Sequence, residues 1–326
     1  MTLLSDIYAA AARRRRERYA RRPDLRQRLR RPVISVGNVA VGGRGKTPMV
    51  ATITRELLSM GERPSILSRG YARMERTDGV VIVRDPEGIR SDLPRAGDEP
   101  LMLARVLPGA SVLVCPDRFL AGRLAEQQLG ATVHVLDDGF QHLGLDRDVD
   151  IVMVGAEDVS RPLTLPSGRL REPLDTIIAA DAVVAADDDV TMDTAAVEIP
   201  FFRTRRTLSN GTTPLEGARV LAFAGIASPQ RFFRDAASLG CTVIATRAFR
   251  DHHPYSRRDL AALVAEARRA GADALVTTEK DLVRLLPYRP FNAALHGVAL
   301  TMEPDPLPEF RQWLAGSLRA ARDIVD

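Results

Sequence analysis

A glycine-rich loop between an apolar segment and a helical pattern constrains this chain more than any other feature. Residues 33–36 form a short apolar run that predicts a strand, and residues 46–60 show apolar side chains at helical spacing. The loop between them ends in Gly-Gly-Arg-Gly-Lys-Thr at residues 42–47. A strand that leads through such a loop into a helix is a unit of α/β folds, so the rest of the chain should alternate between strands and helices.

The same loop predicts a binding site for a nucleotide phosphate. Glycines let backbone N–H groups close on phosphate oxygens, and a helix N-terminus favours negative charge. Lys46 would then reach the β- and γ-phosphates, and Thr47 would bind Mg²⁺. Ala40 stands where the phosphate-loop pattern G-x-x-x-x-G-K-[ST] has its first glycine, and an ordinary glycine turn before a helix is the alternative interpretation.

Alternation does continue along the chain. Helices are predicted at residues 99–107 and 117–129. Further strands are predicted at residues 64–67, 80–83, 111–115, 132–136, 149–154 and 182–186. This pattern predicts a mainly parallel α/β sheet, a P-loop kinase-like domain over residues 32–195.

A second, smaller α/β domain is predicted at residues 218–326, after a β linker at 196–217. The linker has turn residues and two short β-like pieces, at 197–203 and 205–208. In the second domain, strands are predicted at 219–224, 242–245, 274–277 and 293–300, and helices at 228–239, 256–270 and 307–321.

Charge is concentrated in a basic N-terminal arm, residues 1–31, in which residues 2–22 are predicted to form a helix with a modest apolar stripe. The arm holds 11 Arg against 3 acidic residues, a net charge of +8; the whole chain carries +4, which leaves −4 for residues 32–326. Such an arm favours an anionic surface, either lipid head groups or nucleic acid. No apolar run approaches the roughly 20 residues that span a bilayer.

Lysine is scarce in this chain. Of its 46 Lys and Arg residues, only Lys46 and Lys280 are lysines. Where a lysine is kept against that bias, the chemistry suits a compact ammonium group rather than a planar guanidinium.

Carboxylates follow a predicted strand and begin a predicted helix. Asp137 and Asp138 end the apolar strand 132–136, at the sheet edge where ligands of open α/β sheets bind. Asp98 and Glu99 stand at the start of a helix, where a helix cap is the alternative function. His252 and His253 lie in a loop for which a polar turn is the alternative interpretation, and the sequence does not fix which of the two faces the nucleotide. Neither the histidines nor the two cysteines have metal-ligand spacing.

Six separated segments together resemble the tetraacyldisaccharide 4′-kinase (lipid A 4′-kinase) family of Gram-negative bacteria. They occur in that family's order: residues 35–48, 98–100, 137–142 (Asp-Asp-Gly-Phe-Gln-His), 170–173, 251–253 and 277–281. The resemblance implies two α/β domains with ATP between them. It also implies Mg²⁺-dependent transfer of the γ-phosphate to the 4′-hydroxyl of tetraacyldisaccharide 1-phosphate, giving lipid IVA. The short, Arg-dominated N-terminal helix departs from the long apolar helix that the family often has.

Residue roles follow from this resemblance by matching motifs. Asp98 would accept the proton of the sugar hydroxyl, helped by His252. The metal-binding residues would be Thr47, Glu99, Asp137 and Asp138. The ATP-binding residues would be Val41, Gly42, Gly43, Arg44, Gly45, Lys46, Thr47 and Pro48. The substrate-binding residues would be Arg69, Tyr71, Arg118, His142 and Arg171, although surface ion pairs are the alternative for Arg118 and Arg171.

Two other classes of protein fit parts of the sequence. A positioning ATPase that binds membrane or DNA has a similar loop, but its signature lysine is replaced here by Val41. A small-molecule kinase or GTPase is the other, and no Asn-Lys-x-Asp guanine motif is present. With the kinase as the favoured interpretation, the arm predicts a peripheral protein on the cytoplasmic face of the inner membrane. Its partners would be that anionic surface and an acylated disaccharide lipid, with no nucleic acid.

Overall fold

Strands and helices alternate along most of the chain, as the sequence predicts. The computed structural model describes residues 2–71, 73–75, 77–192, 198–210, 215–289, 291 and 293–323. The strands are β1 (Val33–Asn38), β2 (Pro64–Ser68), β3 (Val81–Asp85), β4 (Gly88–Ile89), β5 (Ser111–Val114), β6 (Val133–Asp137), β7 (Val149–Val154), β8 (Ala182–Ala185), β9 (Phe201–Ser209), β10 (Arg219–Ala224), β11 (Thr242–Ala248), β12 (Ala274–Thr278) and β13 (Leu295–Asp305). The helices are α1 (Leu3–Arg21), α2 (Lys46–Ser59), α3 (Leu93–Ala96), α4 (Asp98–Val106), α5 (Arg118–Gln128), α6 (Ala156–Ser160), α7 (Pro229–Ala236), α8 (Arg257–Ala270), α9 (Glu279–Arg284) and α10 (Leu307–Asp323).

One sheet runs through the molecule in the order β11-β10-β12-β13-β9-β8-β7-β1-β6-β2-β5-β3-β4. Its centre is parallel: β1 lies between β6 and β7, and β2 pairs with β6. Every residue of β1, β2, β6 and β7 is buried, because helices cover both faces of such a sheet. The carboxyl ends of β1 and β6 therefore open at one edge, where Asn38 and Asp137 end their strands.

A single strand, β9, replaces the two short β pieces predicted for the linker. The two predicted pieces were separated at Thr204, but this residue lies within β9. Its side chain is buried, and its hydroxyl donates to the carbonyl of Ala185. β9 pairs in parallel with β8 and antiparallel with β13, and so joins the two halves of the sheet. Residues 196–197 and 211–214 of the predicted linker lie outside the described residues, as do residues 193–195 before it.

The C-terminal helix packs on the first half of the molecule, although the sequence assigned it to the second. Phe310, Leu314 and Leu318 of α10 belong to the same buried cluster as the residues of β1 and α2. Arg311 also forms an ion pair with Glu56 of α2. The buried cluster around β1 and α2 therefore extends into α10, beyond the boundary predicted at residue 217.

Candidate active site

The phosphate loop has the strand–loop–helix geometry that the sequence predicts. Gly45 has a φ of 78° and caps α2, which begins at Lys46. A side chain at position 45 would be strained in this left-handed conformation and would also collide with Met302 of β13. Ala40, which stands where the first glycine was expected, is fully buried and pairs with Leu170. The loop therefore accommodates its methyl group.

Lys46 points back toward the carboxyl ends of the central strands. Its Nζ donates to Asn38 Oδ1 at 2.9 Å and lies 3.3 Å from Asp138 Oδ1. The ammonium group thus lies between the end of β1 and the residue that follows β6. Sequence analysis did not select Asn38, whose only sequence signal is its place at the start of the loop.

Arg171, predicted to bind substrate, contacts the phosphate loop and the segment that follows β6. All five of its N–H donors are taken by protein atoms: Nε donates to the Ala40 carbonyl, and the two terminal nitrogens donate to Asp138, Gln141 and Asn38 at 3.0–3.2 Å. The guanidinium group has no donor left for a ligand in this arrangement. These contacts hold Asp138 and Asn38 in place, and the predicted substrate contact of Arg171 stays a prediction.

Three carboxylates lie close enough to influence one another at this edge. Burial, followed by the negative charges of Glu99 and Asp138, raises the pKa of Asp137 to about 7. Burial acts in the same direction on Asp138, but Lys46 and Arg171 outweigh it and lower the pKa of that carboxyl. A divalent cation bound here would offset the repulsion between these carboxylates and the cost of burying their charge.

The described residues contain no ready-made cluster of three or more His, Cys, Asp or Glu side chains around a metal position. Mg²⁺ commonly binds through one or two carboxylates, with waters and substrate phosphates completing its shell. Asp137, Asp138, Glu99 and Thr47 carry oxygen atoms of the kind that such a site uses.

Asp98 is held by donors from three directions. It is the first residue of α4, and its Oδ1 accepts from the backbone N–H of Glu99 at 2.9 Å. Its Oδ2 accepts from Nδ1 of His252 at 2.9 Å and from Nε of Arg284 at 2.7 Å. Burial would raise the pKa of Asp98, but His252, Lys280 and Arg284 outweigh it and hold that pKa well below its usual range. The helix cap is Gly97 rather than Asp98.

His252, and not its neighbour, faces this carboxylate. Its φ of 56° is unusual for a residue other than glycine, and its backbone N–H donates to the Gly225 carbonyl at 3.1 Å. His253 turns the other way: its ring stacks on Phe249 with centroids 4.6 Å apart, and its Nε2 lies 3.3 Å from Asp259. The structure thereby separates two histidines that the sequence could not distinguish.

Helix α9 supplies two residues that sequence analysis did not assign to the site. Lys280 Nζ donates to Glu99 Oε1 at 2.9 Å and lies 3.3 Å from Nε2 of His252. Arg284, one turn later, joins Asp98 to Asp281 and to the Gly225 carbonyl. The scarcity of lysine pointed to Lys280, whereas nothing in the sequence distinguished Arg284 from the other arginines.

The other four predicted substrate residues differ in their burial and in their charge. The Tyr71 ring is exposed and meets the His252 ring edge-on at 5.7 Å. Arg118 is buried at the start of α5, where burial and the charge of Arg69 lower its pKa while Asp137 and Asp138 oppose the shift. Burial, together with Arg118 and Arg147, lowers the pKa of His142 to about 4, so its ring is neutral near pH 7. Arg69 is exposed.

The N-terminal helix lies against the segment that carries Arg171. Ser5 is buried and donates to the Thr164 carbonyl, and Arg16 pairs with Glu172 at 2.7 Å. The opposite face exposes apolar side chains: Leu3, Leu4, Ile7 and Tyr8 are 76, 65, 58 and 38% exposed. Within the described residues, no helix is long and apolar enough to cross a bilayer.

A separate groove of about 920 Å³ lies away from these residues, beside the amino ends of β1, β2 and β6. Its lining residues include several arginines, and Phe119 and Glu126 also line it. It therefore does not coincide with the carboxylate cluster at the opposite edge of the sheet.

Comparison with known proteins decides between the interpretations. Residues 1–319 match the family model described as tetraacyldisaccharide-1-P 4′-kinase. The chain belongs to this family. Tetraacyldisaccharide 4′-kinases from Geobacter metallireducens and Koribacter versatilis are each 40% identical to it, over 94% and 93% of this chain and 95% and 94% of their own lengths.

A solved structure of the same family has the same fold. The crystal structure of LpxK from Aquifex aeolicus in complex with ATP aligns with a TM-score of 0.80 at 30% identity and covers 97% of both chains. Membership of the 4′-kinase family makes this chain a kinase of lipid A biosynthesis with the predicted α/β fold. The interpretations as a positioning ATPase or a GTPase are not supported.

Proposed function

We propose that this chain transfers the γ-phosphate of ATP to the 4′-hydroxyl of tetraacyldisaccharide 1-phosphate, giving lipid IVA. The observation that carries the proposal is the meeting of a phosphate loop with the Asp98–His252 pair at one edge of the sheet. Relatives at 40% identity carry the name of this activity. The reaction forms a bond between the sugar oxygen and the γ-phosphorus while the bond from that phosphorus to ADP breaks.

ATP would bind to the loop from Val41 to Pro48, as its complex with the Aquifex aeolicus relative supports. Backbone N–H groups at Gly42, Gly43 and Gly45 would surround the phosphates, and Lys46 would leave Asp138 to contact them. Thr47, Glu99, Asp137 and Asp138 would hold Mg²⁺, which neutralises charge on the phosphates. The raised pKa of Asp137 supports this assignment, because bound Mg²⁺ would offset both the burial of the charge and the repulsion from Glu99 and Asp138 that raise it.

The Asp98–His252 pair would accept the proton that the sugar hydroxyl loses. A positioned acceptor helps because a hydroxyl is a poor nucleophile at neutral pH. The sequence analysis predicts that Asp98 accepts this proton, helped by His252. Its lowered pKa makes it a weak base, so we propose that Asp98 orients the imidazole and that His252 shares the proton.

The acceptor lipid would approach past Tyr71, Arg69, Arg118 and His142. The cationic side chains suit an anionic sugar phosphate, and the exposed ring of Tyr71 lies beside His252. We also propose that residues 32–195 and 218–326 act as two domains that close over ATP, because the site draws residues from both.

The protein would attach peripherally to the anionic, cytoplasmic face of the inner membrane through α1. Its exposed apolar face favours insertion into the head-group region. The charge contribution is smaller than +8 suggests, because Arg13 and Arg16 pair with Asp175 and Glu172. We therefore propose that apolar contact and the remaining arginines act together, with no nucleic acid as partner.

Transfer of radiolabel from γ-labelled ATP tests the function directly. We expect label in tetraacyldisaccharide 1-phosphate dispersed in detergent, and none in a matched 4′-deoxy acceptor. Labelling of both lipids, or release of inorganic phosphate without a labelled lipid, would overturn the proposal.

A further inference from the structure

Arg284 is a buried cation that the proposed reaction, as described so far, does not use. It lies in α9, and its side chain is only 5% exposed. It forms an ion pair with Asp98, which begins α4 in the other half of the molecule and is itself buried. Because removing two charges from water is costly, a buried ion pair is weak evidence of a stabilising function. Its position beside a candidate catalytic carboxylate favours a function in the reaction.

One oxygen of Asp98 makes both of the contacts that matter here. Oδ2 accepts from Nε of Arg284 at 2.7 Å and lies 2.9 Å from Nδ1 of His252. The other oxygen, Oδ1, accepts from the backbone N–H of Glu99 at 2.9 Å. A rotation of the carboxylate that breaks the contact with Arg284 therefore also changes the contact with His252.

The other side of the Arg284 guanidinium group is anchored to buried acceptors. Its Nη1 donates to the Gly225 carbonyl at 2.7 Å and to Asp281 Oδ1 at 2.8 Å. Asp281 is fully buried, and it also accepts from the hydroxyls of Tyr255 and Thr278, at 2.8 and 2.7 Å. The guanidinium group therefore has a fixed support from which its Nε reaches the carboxylate.

A guanidinium group suits this bridging position because its donors are fixed in one plane. The separation between Nε and Nη1 does not change, so a support that holds Nη1 also places Nε. A lysine would keep the charge, but it would bring a single nitrogen on a flexible stem. The arrangement thus links the position of Asp281, which is 0% exposed, to the orientation of Asp98.

We propose that Arg284 is a positioning residue, which fixes the Asp98 oxygen that faces His252 and so keeps the imidazole oriented for phosphate transfer. Arg284 acts through Asp98, and a displacement of about 1 Å at a reacting group can lower a rate about a hundredfold. The inference deepens the proposed kinase function and rests on it for its catalytic meaning.

Steady-state kinetics of the full-length protein tests the inference with two variants. Arg284→Ala should lower kcat about a hundredfold, with less than about a twofold change in KM for ATP, because it disturbs the Asp98–His252 pair and not the phosphate loop. Arg284→Lys keeps a cation beside the carboxylate and should recover about tenfold of that loss. Circular dichroism checks that both variants are folded.

The same substitution in a protein that lacks the Asp98 carboxylate separates positioning from a structural function. If Arg284 acts through Asp98, Arg284→Ala should lower kcat by less than about threefold further in the Asp98→Ala background. If it only holds the two halves of the molecule together, the loss should be the same in both backgrounds.

Arg311→Ala is the matched control. It removes another ion pair between two helices, α10 and α2, but Arg311 contacts Glu56 rather than Asp98. We expect its kcat to stay within about twofold of the wild type.

An unchanged kcat in folded Arg284→Ala would overturn the inference, as would equal losses with and without the Asp98 carboxylate. If the Arg284 variants do not fold, a crystal structure of the wild type with an unreactive ATP analogue decides. We expect Nε of Arg284 to stay within about 3.2 Å of Asp98 Oδ2, and a longer separation would overturn the inference. A wild type that labels no lipid would instead overturn the proposed function, and the crystal structure would still test the contact.

Discussion

Asp98 and His252 are 154 positions apart in the chain, yet Oδ2 of one and Nδ1 of the other are 2.9 Å apart. Asp98 begins α4, in the half of the molecule that carries the phosphate loop. His252 lies in the turn between β11 and α8, in the other half. The candidate proton acceptor is therefore a pair of residues, one from each half of the molecule.

Replacement of these two residues should show that they act as a unit. Asp98→Ala should lower kcat by at least about a hundredfold with little change in ATP affinity, and His252→Ala should have a smaller effect. The double variant should lose much less than the product of the single losses. Steady-state kinetics of the four proteins measures this coupling. Fully multiplicative losses would show that the two residues act independently.

We expect Lys46 to be required for phosphate transfer and not for folding. Lys46→Ala removes the ammonium group beside Asn38 and Asp138, and Lys46→Arg places a planar fork where the loop accommodates a point charge. We expect both to abolish transfer. Circular dichroism should show an unchanged fold, because the lysine lies at the ligand edge rather than in the core. Near wild-type turnover in Lys46→Arg would contradict the phosphate-loop assignment.

Asp137 should make stability fall as pH rises. Its pKa of about 7 in the folded protein exceeds the ordinary value of about 3.9, so the folded state binds more protons between these values. The contribution of Asp137 to the free energy of unfolding is then full below about pH 4 and is lost as pH rises toward 7, by at most roughly 4 kcal/mol. Asp137→Asn should flatten this part of the profile.

Thermal unfolding in metal-free buffer measures that dependence. We expect Tm of the wild type to fall between pH 5 and pH 8 relative to Asp137→Asn, and Mg²⁺ at pH 8 to stabilise the wild type more than the variant. Parallel profiles for the two proteins would remove the argument for a metal at this carboxylate.

Membrane attachment should depend on the apolar face of α1 as well as on its charge. Leu4→Ser combined with Ile7→Ser removes two exposed apolar side chains and leaves the buried contacts of Ser5 and Arg16 intact. Sedimentation with anionic vesicles should drop for this variant, and wild-type binding should weaken with salt. Equal sedimentation of both proteins would place attachment elsewhere.

Local pattern was enough to predict most of the fold. Strands β1, β6 and β7 are mainly apolar, and the loop before α2 has the glycines that its left-handed turn requires. The linker was less predictable, because the length of β9 depends on its pairing with β13, about 90 residues later in the chain. The packing of α10 against β1 and α2 likewise depends on contacts between distant parts of the chain, which local sequence pattern does not reveal.

The residues of the site also fall into those that the sequence predicts and those that only the structure reveals. Motif spacing identified the loop, Asp98 and Asp137, which lie at strand and helix ends that local pattern defines. It could not show that Arg171 donates to Ala40, Asn38, Asp138 and Gln141, or that Arg284 donates to Asp98. These arginines resemble the many others in the chain, and only their three-dimensional partners distinguish them.

The position of the new phosphate on the lipid product tests the central claim most directly. Tetraacyldisaccharide 1-phosphate, ATP and Mg²⁺ would be incubated with the protein, and the product would be analysed by two-dimensional ³¹P–¹H nuclear magnetic resonance. We predict a second phosphorus signal that correlates with the proton on C4′ of the distal glucosamine, and no such signal with Lys46→Ala. A phosphate on any other hydroxyl, or consumption of ATP with no second lipid phosphorus, would contradict the account.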